Sequence, residues 1–130
     1  MNDYFTPEDA LSFAFYRVPK ALITDPFYHA VSTDAKLLYG LLLDRVELSL
    51  KNGWQDERER VFLYFTIAAI QKALCCCKEK ACKLLRELED AGLVERKRQG
   101  QGFPARIYVK RFQRSEKPTS RGRENRPKSD

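Results

Sequence analysis

The side chains in this sequence best suited to chemistry are four cysteines and one histidine. Cys75, Cys76 and Cys77 are consecutive, Cys82 follows on its own, and His29 stands far from all of them. A structural zinc site needs ligands that converge tetrahedrally, usually as spaced pairs with further partners. Three adjacent cysteines project in different directions, so neither a metal nor any other cofactor is expected. Catalysis is not expected either. The chain has no nucleophile, base and orienting group in a recognisable set and no glycine loop to cradle phosphate, and its single histidine sits beside Tyr28. The cysteines read instead as small, partly buried thiols at a helical turn.

Charge carries more information than these reactive groups. The net charge is +6, and the excess lies at one end of the chain. Residues 93–114 hold seven basic side chains (Arg96, Lys97, Arg98, Arg106, Lys110, Arg111 and Arg114) against Glu95 alone. Residues 1–92 are slightly acidic, with 12 Lys and Arg against 14 Asp and Glu. A near-neutral body with one cationic strip suits a polyanionic partner, because the strip can neutralise phosphates and release their condensed counterions.

The elements that must position this strip can be read from hydrophobic period and punctuation. Phe13–Val18 reads as an aromatic-rich strand ended by Pro19, and Thr24-Asp25-Pro26 as a turn. Ser32 can cap a long helix whose Leu37, Leu38, Leu41, Leu42, Val46 and Leu50 recur at helical spacing, and Asn52-Gly53 closes it. So apolar a helix is expected to be the core spine. Val61–Phe65 reads as a short strand. Thr66 caps a second helix marked by Ile67, Ile70 and Leu74, and Cys75–Cys77 break it. Lys78–Ala91 reads as a third helix with an Ala81, Leu84, Leu85, Leu88 stripe, terminated by Gly92. The period then changes from helical to alternating. Leu93–Arg98 and Ala105–Phe112 form a hairpin around a Gln99–Pro104 tip, with Ile107 and Val109 on one face and Arg106, Tyr108 and Lys110 on the other.

Two helices around a tight break, followed by a basic hairpin, have helix-turn-helix geometry with a wing. The expected fold is therefore α+β, a winged helix whose helix-turn-helix core carries a C-terminal β-hairpin wing and an N-terminal strand. The third helix can enter a major groove while the hairpin reaches the flanking backbone or minor groove. At about 100° per residue, Cys76, Glu79, Lys83 and Arg86 fall opposite the apolar stripe, with Lys80 on a flank and Lys78 nearer the core. The candidate duplex-DNA contacts are thus Cys76, Lys78, Glu79, Lys80, Lys83 and Arg86 on the helix. On the wing they are Arg96, Lys97, Arg98, Gln99, Gln101 and Arg106.

Several segments also resemble a known family. Phe15–Leu22, Ser32–Arg45, Tyr64-Phe65-Thr66, Lys83–Leu88 and Gly92–Gly100 resemble, in order and at compatible spacing, the N-terminal domain of the plasmid replication initiator A family. The resemblance covers roughly residues 13–112. It implies a winged helix that binds repeated origin sequences as a homodimer, on plasmids and mobile elements of Gram-positive bacteria. It also implies a separate C-terminal domain for host replication proteins. These 130 residues stop short of such a domain, so host partners are expected only if the full-length protein carries one. Members tend to have a small residue or Gly just before the third helix, where this chain has Cys77. The sequence leaves two other readings open: a transcriptional repressor of the same architecture, and a protein-interaction module without DNA binding.

The expected organisation is a flexible N-terminus over 1–12, the winged helix over 13–112 and a basic disordered tail or linker over 113–130. Secretory and membrane features are missing from the pattern. Asp3, Glu8 and Asp9 occupy the position of a basic leader, and the longest apolar run, Leu37–Leu43, is far short of the roughly 20 residues that span a bilayer. A cytoplasmic, membrane-free location is expected.

Overall fold

The computed structural model describes residues 3–112, so the tail expected over 113–130 lies outside the described residues. Within the N-terminal segment a short helix forms. Helix α1 (Pro7–Ser12) opens with a capping box: the Thr6 hydroxyl accepts from the Asp9 amide and the Asp9 carboxylate accepts from the Thr6 amide. The Thr6-Pro7-Glu8-Asp9 signature is present in the sequence, and α1 buries no residue.

The strand expected over Phe13–Val18 does not form. The segment runs extended with no ladder partner among the described residues, and Phe13, Phe15 and Tyr16 are exposed. Aromatic alternation raises strand propensity, but a strand exists only where a neighbour supplies hydrogen bonds. Residues 17 and 18 lie instead along a helix, as described below. A single helical turn, α2 (Ala21–Thr24), and a 3-10 turn (Pro26–Tyr28) follow, and the Asp25 carboxylate accepts from the Phe27 amide.

Helix α3 (Thr33–Lys51) starts where expected, with the Ser32 hydroxyl accepting from the Ala35 amide. Ala35, Leu38, Tyr39, Leu41 and Leu42 are buried, which makes its first half the spine of the core. The second half is less buried than its leucines suggested: Leu48 and Leu50 are exposed, as is Leu37. Those positions rotate away from the only face that α5 and the hairpin cover. The Tyr39 hydroxyl donates to the Lys110 carbonyl at 2.7 Å and so joins the spine to the end of the hairpin. Burial pushes the Tyr39 pKa up to about 12, with a smaller contribution from Tyr28.

Helices α4 (Ile67–Leu74) and α5 (Lys78–Asp90) flank the cysteine break. Thr66 caps α4 by accepting from Ala69, and Cys75 ends it in the left-handed region at φ 55°. Cys77, the N-cap of α5, has extended backbone and offers no side-chain cap bond. The left-handed residue is thus Cys75, two positions before the N-cap of α5. Ala81, Leu84, Leu85 and Leu88 are buried against α3 and α4, and Gly92 takes φ 79° just past the helix end. A side chain there would cost conformational energy that glycine avoids.

Strands β1 (Val94–Lys97) and β2 (Arg106–Val109) form the antiparallel hairpin, with Val94 opposite Val109 and Lys97 opposite Arg106. The strand expected over Val61–Phe65 reduces to isolated bridges. Leu63 exchanges both backbone bonds with Ile107 at 2.8 Å, so β2 has a partner on each side. The assembly is winged-helix-like: helical core first, small sheet last, with one hydrophobic core running from Leu22 through Leu42, Ile70 and Leu88 to Ile107.

Gly40 allows the extended segment to approach α3. A Cβ there would lie 3.0 Å from the Arg17 carbonyl oxygen and 3.1 Å from Val18 Cγ2. Replacing a mid-helix glycine by alanine normally adds about 1 kcal/mol of helix stability, whereas overpacking costs about 1–3 kcal/mol. Gly40→Ala is therefore expected to lower stability by roughly 1 kcal/mol in urea unfolding, because the nearest obstacle is backbone that cannot rotate away. A more stable variant would mean that residues 17 and 18 do not seat against α3.

Candidate nucleic-acid interface

The exposed face of α5 is defined by what its other sides must touch. Its apolar stripe occupies one side. On the next side, Lys80 pairs with Asp34 at 2.6 Å, and Glu87 accepts from the Ser32 amide at 2.8 Å and from the Ser32 hydroxyl at 3.1 Å. Position N3 of α3 is Ala35, which has no carboxylate to complete a capping box, so Glu87 supplies it from another helix. On the opposite side, Arg96 of β1 makes a two-pronged bond to Glu89, with Nε and Nη2 each 2.8 Å from a carboxylate oxygen.

At about 100° per residue, Glu79, Lys83 and Arg86 occupy the remaining sector. All three are exposed, as is Lys78. Cys76 departs from the expected placement. It precedes the first helical residue, so the helical angle does not extend to it, and it is half-buried against the core. Lys80 is exposed but already engaged with Asp34, which chiefly accounts for its raised pKa.

The wing cations divide in the same way. Lys97 and Arg98 are exposed and form no ion pair among the described residues. Arg96 is held by Glu89, whose hydrogen bond is the main cause of its raised pKa. Arg106 lies over the Phe62 ring with its guanidinium carbon 4.2 Å from the centroid, and its pKa is raised by the Tyr108 and Tyr64 hydroxyls. Gln99 donates to the Tyr64 hydroxyl at 3.2 Å and to the Pro104 carbonyl at 2.9 Å, which folds the wing tip back on its base. Gln101 is exposed at the tip. An open groove between the hairpin and the end of α5 is lined by Glu89, Arg96, Arg98, Gln101 and Phe103.

The face of the hairpin expected to be polar is covered rather than solvated. Tyr108 is buried, its ring packs near Phe62, and its hydroxyl donates to Asp56 at 3.1 Å. Asp56 also accepts from the Arg58 amide, the Arg60 amide and Arg60 Nε, each at 2.9 Å. Desolvation pushes its carboxyl upward, but the Arg60, Tyr108 and Arg58 hydrogen bonds outweigh this and hold the pKa at about 2. Sequence reasoning missed Glu87, Glu89 and Asp56 as positioning groups. Their partners lie on other elements, so the sequence held no local signal for these pairings.

The chain is similar to known proteins in sequence and in fold. Residues 14–121 match the family described as the replication initiator protein A (RepA) N-terminus. A 41 kDa protein of Lactobacillus helveticus is 34% identical over 101 residues, which are 73% of this chain and 29% of that protein. The chain thus spans under a third of that relative. A solved N-terminal domain of a DNA-binding protein superposes with TM-score 0.75 at 34% identity, covering 89% of this chain and 88% of the other. A Rep–DNA complex gives TM-score 0.75 at 33% identity over 88% of each chain. An initiator described as MDR gives 0.71 at 32% identity over 88% of this chain and 90% of its own. Among the described residues no helix is long and apolar enough to cross a membrane.

A carboxylate with a lowered pKa stabilises the fold above its unfolded value, near 3.8, and that contribution fades as pH falls towards about 2. The thermal midpoint of the wild type should therefore fall between pH 4 and pH 2 more steeply than that of Asp56→Asn. Parallel curves for the two proteins would show that Asp56 does not anchor Tyr108 in solution.

Proposed function

Because the chain belongs to the replication initiator protein A N-terminal family, we propose that it binds duplex DNA sequence-specifically, at origin repeats and as a homodimer. One observation carries the reading. The exposed sector of α5 with Glu79, Lys83 and Arg86 is bordered by the root of the basic hairpin, which the Arg96–Glu89 bond draws alongside the helix. A duplex meeting α5 in its major groove would then meet the hairpin at the neighbouring backbone.

The division of the cations assigns roles. Lys97 and Arg98 are the phosphate contacts of the wing, with Gln101 at its tip. Arg96 and Arg106 position the hairpin through Glu89 and Phe62, and Gln99 shapes its turn. On α5, Lys83 and Arg86 reach guanine or phosphate, Glu79 accepts from cytosine, and Lys78 and Lys80 serve the backbone. Cys76 is a supporting rather than a contacting residue. No part of this assignment requires a catalytic group.

The exposed aromatic stretch from Tyr4 to Tyr16 supports dimerisation. Phe5, Phe13, Phe15 and Tyr16 outside α1 and Leu11 within it all present their side chains to solvent. A second copy could cover this surface, and sedimentation that finds only monomer at high concentration would remove the homodimer. Engagement of host replication proteins would belong to the remainder of a longer protein such as the Lactobacillus helveticus relative.

Two binding measurements test the DNA reading. Log affinity should fall linearly with log salt, and Lys97→Ala with Arg98→Ala should flatten that slope by about 1 per lost phosphate contact while weakening all sequences alike. A flat salt response in the wild type would rule the reading out. In contrast, Glu79→Ala and Lys83→Ala should change which duplexes are selected from a random pool, with about 1–3 kcal/mol of discrimination lost per base contact. An unchanged selection would place the specificity elsewhere.

A further inference from the structure

The assignment proposed above gives the three consecutive cysteines no contact with the duplex, yet they form the link into α5. Their side chains differ in access. Cys75 and Cys77 are exposed, whereas Cys76 is half-buried against the core and Cys82 is half-buried on α5. Cys75 is held in the left-handed region at φ 55°, and its Sγ makes only a long contact, 4.0 Å, to the Lys72 carbonyl. Cys77 occupies the N-cap without using its sulfur for a cap bond. None of the four cysteines is in a disulfide.

Lys80, in the first turn of α5, is held by Asp34 at 2.6 Å. The thiolate is the nucleophile in disulfide exchange, so access to solvent decides which sulfur reacts. Cys75 and Cys77, exposed on either side of the half-buried Cys76, place two accessible thiols at the turn that leads into α5.

We propose that the Cys75–Cys77 turn is a thiol-modification site for small disulfides, and that an adduct there blocks docking of α5 on duplex DNA. The blocking half rests on the DNA reading given above. In the exchange, a cysteine thiol loses its proton to solvent and its sulfur attacks one sulfur of the small disulfide. A protein–small-molecule S–S bond forms, the original S–S bond breaks, and the released thiolate takes up a proton. The protein sulfur is oxidised and the departing sulfur is reduced, so no further oxidant is needed. The adduct would project beside Lys78 and Glu79, at the end of α5 that leads into the groove.

The experiment uses oxidised glutathione on the reduced full chain, with intact mass and peptide mapping read alongside duplex titration. The expected result is an adduct on Cys75 or Cys77, at least a tenfold loss of duplex affinity, and full recovery with dithiothreitol. The Cys75→Ser, Cys77→Ser double variant should keep the same affinity with and without the disulfide. Should that variant misfold, brief treatment of the wild type with subsequent site mapping still reads the chemistry. Adducts confined to Cys76 or Cys82, or an adduct on Cys75 or Cys77 that leaves affinity unchanged, would overturn the proposal. Reduced protein without duplex affinity would instead overturn the DNA reading, which the adduct mass does not depend on.

Discussion

The amide and hydroxyl of Ser32 both end on the carboxylate of Glu87, and the placement of α5 depends on making that contact while its leucine stripe is buried. The two effects do different things. Burial of Leu84, Leu85 and Leu88 stabilises the packing by about 1.5–3 kcal/mol per side chain, but that attraction has little direction and would tolerate sliding or rotation. A hydrogen bond contributes less, about 0.5–1.5 kcal/mol net, but it is lost within an ångström of displacement. Glu87 therefore supplies register where the leucines supply adhesion. With that side of α5 committed to α3, its surface-facing sector is determined.

A similar division of labour holds the hairpin. Ile107 enters the core and pairs with Leu63, while the opposite face is closed by Tyr108 on Asp56 and by Arg106 on Phe62. A two-stranded hairpin alone is marginal in water. Support on both faces makes the wing part of the domain rather than an appendage. The cost is that some of its charge turns inward: Arg96 and Arg106 hold the wing in place, which leaves Lys97 and Arg98 as its outward cations.

Much of this was legible in the residues. Ser32 and Thr66 cap the helices they were expected to cap, Gly92 ends α5, and Ala81, Leu84, Leu85 and Leu88 face the core, because capping and helical period are local properties. The misreadings were of another kind. Phe13–Val18 has strand composition but no neighbour to pair with. Val61–Phe65 pairs at single residues because the chain turns at Asp56 and again at Thr66. Leu48 and Leu50 repeat the apolar spacing of α3 beyond the point where anything covers it. Cys76 was placed by extending a helical angle into residues that are not helical.

What the sequence determined by itself was the order of elements and the location of positive charge. Both follow from interactions within a few residues: caps, apolar repeats, turn-forming glycines and the run of cations from Arg96 to Arg111. The tertiary structure alone decided which of those cations face outward. Glu87 binds Ser32 across 55 residues, Asp56 binds Tyr108 across 52, and Glu89 meets Arg96 on another element, so no local rule could make those pairs. A charge that finds a carboxylate or an aromatic ring across the fold becomes a structural tie. One that finds neither remains available to a partner.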